Sequence, residues 1–293
     1  MAQQSHDALA RAVIERLAAC EDPRFKQVMT LLIEHLHAFI RDADLRPEEW
    51  LRAVEFLIAT GQASSEARRD FTLLADILGA STLITALDQA RAPGDDRGAM
   101  TASTATRWGP RTRISGSELP LGSDIGEGVL GDATLYYGRV TDVDGRPLQG
   151  ALLDTWSSHG GGGNVQSVGQ TMSARGRFLT DAEGRYWFWS IKPGCHSVPI
   201  DGPVGHLLER MGRDPYRPGH IRLEVSAAGH TGMTTNLFVA DGPCISFDAA
   251  FGVGDNLTVE FDLHAPGEAM DGRPMRAPYW SANHDFRLLP ARG

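Results

Sequence analysis

His220 and Arg222 stand two positions apart in His220-Ile221-Arg222-Leu223-Glu224-Val225, a stretch in which polar and apolar residues alternate. On a strand such positions point to the same face. That sets an imidazole, able to gain or lose a proton near neutral pH, beside a guanidinium that is always charged and has no lone pair to donate. His196 follows Cys195, and His159 precedes the run Gly160 to Gly163. Imidazoles act as general acids and bases and as ligands of divalent metals. The glycine run lacks the Gly-Lys-Ser/Thr ending of a phosphate loop and reads as a flexible connection. Cys20, Cys195 and Cys244 are too few and too scattered for a disulfide framework or a zinc-finger spacing. They are expected to be reduced, mostly buried thiols.

The elements that must position these groups change along the chain. Val28, Leu31, Leu32, Leu36, Phe39 and Ile40 recur at the spacing of one helical face. Arg46-Pro47-Glu48-Glu49-Trp50 reads as a helix start, with proline in the first turn and acids near the positive dipole end. Leu51, Val54, Leu57 and Ile58 continue that face to Gly61, and further amphipathic stretches run from Glu66 to Ile77 and from Ser81 to Ala90. Ala92 to Asp132, rich in Gly, Pro, Ser, Thr and Asp, reads as a long connection; loops of that length often cover a functional site. Strand patterns follow at Thr134–Val140, Ala151–Trp156, Arg177–Thr180, Arg185–Trp189, His220–Val225, Thr234–Val239 and Leu257–Leu263, with Gly/Asp turns between several of them. Short strands at close spacing predict an antiparallel β-sandwich. The fold class expected is therefore α+β, with a helical portion over residues 1–105 and a β-sandwich over residues 106–293.

The 293 residues, 42% of them hydrophobic, suffice for a sizeable core. A formal charge of −9 without a Lys/Arg run argues against nucleic acid. No apolar run is long enough to span a membrane. The N-terminus lacks the basic and apolar regions of a signal peptide, so a cytoplasmic protein is expected.

Several motifs, kept in order, carry a resemblance. They are Gly138-Arg139-Val140, Asp144-Gly145-Arg146-Pro147, Asp154-Thr155-Trp156, Gly184-Arg185-Tyr186, Asp201-Gly202-Pro203-Val204-Gly205, Arg217-Pro218-Gly219-His220 and Asp248-Ala249-Ala250-Phe251-Gly252. Leu36-His37-Ala38-Phe39, Glu49-Trp50 and Leu73-Leu74-Ala75-Asp76-Ile77-Leu78-Gly79 extend it into the helical region. The chain resembles the intradiol ring-cleavage dioxygenases, and within them the hydroxyquinol branch more than the catechol branch. That resemblance implies a homodimer formed through the helical domain, often with a lipid in the interface. It implies a small aromatic or phenolic substrate, and ferric iron held by two tyrosines and two histidines. Anionic phenolates stabilise the trivalent metal and keep it a Lewis acid, and the ring opens between its two hydroxylated carbons.

Residue by residue, the implied iron site is altered. The first family tyrosine falls at Gly163 or Asn164, the second at His196; the first histidine is His220, and the second is Arg222. Tyr136, Tyr137, Tyr186, Tyr216 and Tyr279 do not match ligand positions. A guanidinium where a ligand belonged would be repelled by a trivalent cation; with Arg217 it would instead suit a phenolate, carboxylate or enolate. The alternative is an Arg222 turned outward to pair with a surface acid.

His196 and His220 admit three readings: acid/base groups acting on a bound phenol, a metal site completed by His159, or remnants of a lost site. The likeness also implies a ring-binding wall from Leu73, Asp76, Ile77, Phe251 and Gly252, with Asn236 where the family has a longer polar residue and Arg217 steadying substrate charge; packing alone could account for Leu73, Ile77 and Phe251. Trp108-Gly109-Pro110-Arg111 matches a Gly-Pro-Phe segment, with Arg111 for the aromatic. The leading expectation is a repurposed enzyme with catalytic His196, His220, Arg217 and Arg222, needing no cofactor and acting on a phenolic or enolisable substrate by acid/base chemistry. The alternatives are a true ring-cleaving dioxygenase with a His-rich site (His159, His196, His220) for non-haem iron or another divalent metal, and a non-catalytic partner paralogue.

Overall fold

The computed structural model describes residues 2–65, 68–90, 117–157 and 174–291, and the chain divides into two compact units, Met1–Ala59 and Thr60–Gly293. The expected boundary near residue 105 lies outside the described residues.

The first unit is helical: α1 (Ala2–Glu15), α2 (Pro23–Asp42) and the greater part of α3 (Pro47–Ala63). Asp22 starts α2, its carboxylate accepting the backbone N–H groups of Arg24 and Phe25, both at 2.9 Å, with Pro23 in the first turn where no N–H is needed. Before α3, Glu49 accepts the Arg46 N–H at 2.9 Å, as acids near a helix start do. No residue of α2 is buried. Its apolar stripe, predicted from the spacing, leaves Val28, Leu31, Leu32, Leu36 and Phe39 exposed in the single chain.

The second unit contains α4 (Asp70–Ile77), α5 (Ala80–Ala90) and a β-sandwich. Its strands are β1 (Ala133–Asp142), β2 (Leu152–Ser157), β3 (Ala174–Leu179), β4 (Arg185–Ile191), β5 (His196–Ser197), β6 (Tyr216–Arg217), β7 (His220–Ser226) and β8 (Met233–Val239). The shorter β9 (Thr258–Val259), β10 (Asp262–His264), β11 (Gly267–Glu268), β12 (Pro274–Met275), β13 (Tyr279–Asn283) and β14 (Phe286–Leu288) follow. One sheet runs β10-β13-β1-β14 with β4 also on β1; the other runs β3-β2-β7-β8-β9. Pairing is mostly antiparallel, but β13 and β14 lie parallel to β1, and β9 parallel to β8.

The core lies where alternating side chains of both sheets meet: Tyr136 and Phe188 from one, Phe178, Ile221, Leu223, Val225 and Leu237 from the other. Stacked rings tie it together, Phe178 on Phe188 at 4.9 Å and Tyr136 on Phe188 at 5.3 Å. Gly138 is obligatory for a steric reason: a Cβ there would come within 1.9 Å of the His284 carbonyl oxygen.

The sequence reading offered no strand at β5, β6 or β11 to β14, and two further stretches differ from it. The stretch Leu257–Leu263 is not one strand but a 3₁₀ turn followed by β9 and β10. A short helix, α6 (Pro203–Arg210), starts at the proline of the Asp-Gly-Pro motif, where proline fits a first turn.

Candidate active site

Because Ile221, Leu223 and Val225 fill the core, the two-residue period of β7 puts His220, Arg222 and Glu224 on the opposite face. The register then selects their neighbours. Arg222 lies between Trp156 of β2 and Asn236 of β8, and His220 lies opposite Phe238. The His220 ring packs 5.0 Å from Phe238 and 5.1 Å from His196. The Arg222 guanidinium sits over the Trp156 ring at 5.3 Å, and Arg175, across β2 on β3, approaches the same ring at 5.1 Å. Arg175 is itself held by both oxygens of Asp154, at 3.2 and 2.9 Å. The outward-turned Arg222 is therefore not what the structure shows.

The second wall comes from short elements. In the ladder β5–β6, His196 stands opposite Arg217. Arg217 donates to Asp248 through Nε at 2.9 Å and Nη2 at 3.4 Å. The Asp248 carboxylate also accepts the N–H groups of Ala250 at 3.0 Å and Gly252 at 2.7 Å. A Cβ on Gly252 would lie 2.9 Å from Arg217 Nη2 and 3.2 Å from Asp248 Oδ2, so glycine leaves room for this ion pair. The tight turn puts Phe251 at φ +53°, with the Arg213 guanidinium 4.5 Å from its ring. Arg213 bridges the Ile77 and Ala249 carbonyls, and the Thr82 hydroxyl donates to the Phe251 carbonyl at 3.0 Å. These bonds fasten the α4–α5 corner to the Asp248 turn.

The expectation of three reduced thiols is corrected here. Cys195 and Cys244, 49 residues apart, form a disulfide with Cα atoms 6.0 Å apart, and only Cys20 is free. The pairing is long-range, so spacing alone gave no sign of it.

Electrostatics follow from burial and crowding. Burial, then the Arg217 charge, pushes His196 down to about 4. Burial, Arg217 and His196 together hold His220 well below the usual imidazole range. Both rings are therefore neutral at pH 7. The Pro218 carbonyl can only accept, so the His220 Nδ1 2.9 Å away carries the proton and Nε2 keeps its lone pair. Burial and Arg217 lower Arg222 to about 10, opposed by Asp76 and Glu224. Burial raises the Asp76 carboxyl, against the Ser81 hydrogen bond and the Arg217 and Arg222 charges. Burial also works upward on Asp248, but Arg217 and its hydrogen bonds leave that carboxyl below the usual range. The site expected to be cationic thus interleaves its arginines with acids.

The structure brings His196, His220, Arg217, Arg222 and Asn236 together, and Asp76 acts electrostatically on both arginines. Ile77, fully buried, Phe251 and Gly252 adjoin them through the bonds just described. Leu73 is half-buried on α4, one turn before Ile77. His159, the four-glycine run and Trp108–Arg111 lie outside the described residues. Trp156, Asp248 and Arg213 were missed as site residues. The first two stood in recognised motifs, but only strand register and the Asp248 turn reveal what they touch.

Among the described residues, the side chains gathered around His196 and His220 do not fit a ferric centre of two phenolates and two imidazoles. Tyr136 donates its hydroxyl to the Ile191 carbonyl at 3.0 Å and Tyr186 to the His284 carbonyl at 2.7 Å, both committed away from the site. Among the described residues no group of three or more His, Cys, Asp or Glu side chains is placed to hold a metal.

Sandwich, helices and motif order together define an aromatic-ring dioxygenase scaffold, and comparison with known proteins agrees. Residues 110–288 match the dioxygenase family model and residues 22–96 the model for the catechol dioxygenase N terminus; the chain belongs to the intradiol ring-cleavage dioxygenase family. More particularly, it is 38% identical to a hydroxyquinol 1,2-dioxygenase of Rhizobium sp. over 95% of this chain and 94% of that one. It is 36% identical to a 6-chlorohydroxyquinol 1,2-dioxygenase of Cupriavidus pinatubonensis over 88% and 91%. The crystal structure of hydroxyquinol 1,2-dioxygenase from Pseudomonas putida superposes with a TM-score of 0.86 at 32% identity, covering 99% of this chain and all of that one.

Proposed function

We propose that this chain is an enzyme for a small hydroxylated aromatic ring, and that it acts by proton transfer without the family's bis-tyrosine ferric centre. The observation that carries the reading is the convergence of two neutral imidazoles on Arg217 and Arg222. The names of the relatives, hydroxyquinol, chlorohydroxyquinol and catechol dioxygenases, supply the substrate class. The buried Asn236 Oδ1 has no hydrogen-bond partner among the described residues, and a ring hydroxyl would satisfy it.

An imidazole this hard to protonate is a weak base in the resting site. A ring hydroxyl lying against the guanidiniums is acidified by them, and the oxyanion it leaves favours the imidazolium beside it. Substrate binding therefore moves the two proton affinities toward each other. Arg222, stacked on Trp156, stabilises the oxyanion without taking up a proton.

The relatives, hydroxyquinol dioxygenases by name, favour a second reading, ring cleavage, which in this chain would use an altered His-rich metal site. One feature of this chain supports it: the carbonyl-anchored His220, with Nε2 unprotonated, has the tautomer that metal ligation requires. His196 and His220, with His159, would hold a divalent non-haem metal, which would act as a Lewis acid on the ring hydroxyls. Arg222 and the missing phenolates weigh against it.

The test is metal analysis, a visible spectrum and oxygen uptake on the purified protein with 1,2,4-trihydroxybenzene and catechol. Binding without oxygen uptake, metal or tyrosinate–iron absorption supports the leading reading. Near-stoichiometric iron with ring-cleaved product overturns it in favour of the second. No binding of either ring points to a non-catalytic partner protein.

We further propose self-association through the first unit, because Phe25, Leu32 and Phe39 are each more than half exposed, an apolar face that a second copy would cover. Light scattering should report a dimer; a monomer would exclude it.

A further inference from the structure

The disulfide Cys195–Cys244 has no part in the chemistry above, yet both of its ends feed the site. Cys195 immediately precedes His196. The strand carrying His196 is only two residues long and pairs with a strand equally short. Backbone bonds flank it at Lys192 N to Asp132 O, 2.9 Å, and Val198 N to Pro215 O, 2.8 Å. Cys244 opens the turn that ends on Asp248: Phe247 N bonds the Cys244 carbonyl at 3.2 Å, and Ala249 N bonds the Tyr216 carbonyl at 2.9 Å. Asp248 then grips Arg217, which faces His196. His196, Arg217 and Asp248 form a chain of contacts, and the disulfide closes that chain into a ring.

We propose that Cys195–Cys244 is a reversible thiol–disulfide site that sets the geometry of this centre. Closed, it holds His196 in register with Arg217; reduced, it frees the His196 segment from the Asp248 turn. Cys244 is only 6% exposed, while Cys195 is half-buried, so Cys195 Sγ is the sulfur open to attack. The thiolate of a dithiol reductant attacks Cys195 Sγ, the S–S bond breaks, and Cys244 leaves as a thiolate and takes a proton. The second thiol of the reductant then displaces Cys195, and the reductant cyclises to its own disulfide. Two electrons and two protons end on the cysteines. The inference holds under either reading of the reaction.

The experiment uses the full-length protein purified without reductant. Thiol titration after denaturation should give one thiol, Cys20, and three after treatment with dithiothreitol. Diethylpyrocarbonate labelling of the folded protein, read by peptide mass spectrometry, should then rise roughly tenfold at His196 on reduction, as expected of a locally opened segment. The exposed His206 serves as the control and should not change. Reoxidation should restore protection. Three thiols without reductant, equal His196 labelling in the two states, or labelling that stays high after reoxidation would each overturn the proposal. The comparison is made on the wild-type chain, so it does not depend on whether a cysteine variant folds. A folded Cys195→Ser protein should label like reduced protein in both conditions; labelling like oxidised protein would also overturn the proposal.

Discussion

The two faces of β7 differ in what holds them. Ile221, Leu223 and Val225 are sealed into the sandwich core, where position is set by shape. His220, Arg222 and Glu224 face a layer held by ion pairs, ring stacking and a disulfide, where position is set by charge and covalent ties. One strand therefore carries a face that builds the sandwich core and a face that builds the candidate site.

Substitutions on the two sides should separate these roles. Phe178→Ala removes a fully buried ring stacked on Phe188 and should cost about 3–5 kcal/mol of stability in chemical denaturation. Reducing the disulfide, which closes a 49-residue separation, should cost up to about 4 kcal/mol by the loop-entropy relation. A fall in the denaturation midpoint with dithiothreitol, absent in a Cys195→Ser/Cys244→Ser protein, would show it.

Acid should act on the outer face through its buried imidazoles. His196, held at about 4 when folded, binds its proton more readily in the unfolded chain. Its contribution is complete above pH 6.5 and is lost as the pH falls toward 4. Unfolding free energy should therefore rise with pH across that window, and His196→Asn should flatten the slope. An unchanged slope would contradict the burial assigned to this ring.

Arg222→Met should have the smallest effect on stability, within about 1 kcal/mol, because losing a desolvated charge offsets the lost contacts. The same change should weaken binding of the trihydroxybenzene anion roughly 10- to 100-fold, the range for a hydrogen bond to a charged group. Titration calorimetry beside denaturation would report both; unchanged binding would remove Arg222 from the site.

Much of the fold was legible because alternation in β2, β7 and β8 and the helical spacing in α2 are strong local patterns. The short β13 and β14 were not, since each is stabilised by its parallel partner β1 and not by its own sequence. Within the site, His220 and Arg222 could be set on one face from their spacing. Their charge environment was legible only in part: Glu224 follows Arg222 at the same two-residue spacing, but Asp76 reaches Arg222 only in the folded chain, and Asp248 neutralises Arg217 through a turn more than 30 residues downstream. The disulfide escaped for the same reason.

The row Arg175–Trp156–Arg222, with Asp154 holding Arg175, crosses three strands and begins at β3, an edge strand of its sheet among the described residues. An arginine pinned at that rim braces the indole from one side while the indole seats Arg222 from the other. Tolerance to change should therefore be lower at position 175 than its place on an edge strand suggests. A survey confined to residues that touch the substrate would overlook it.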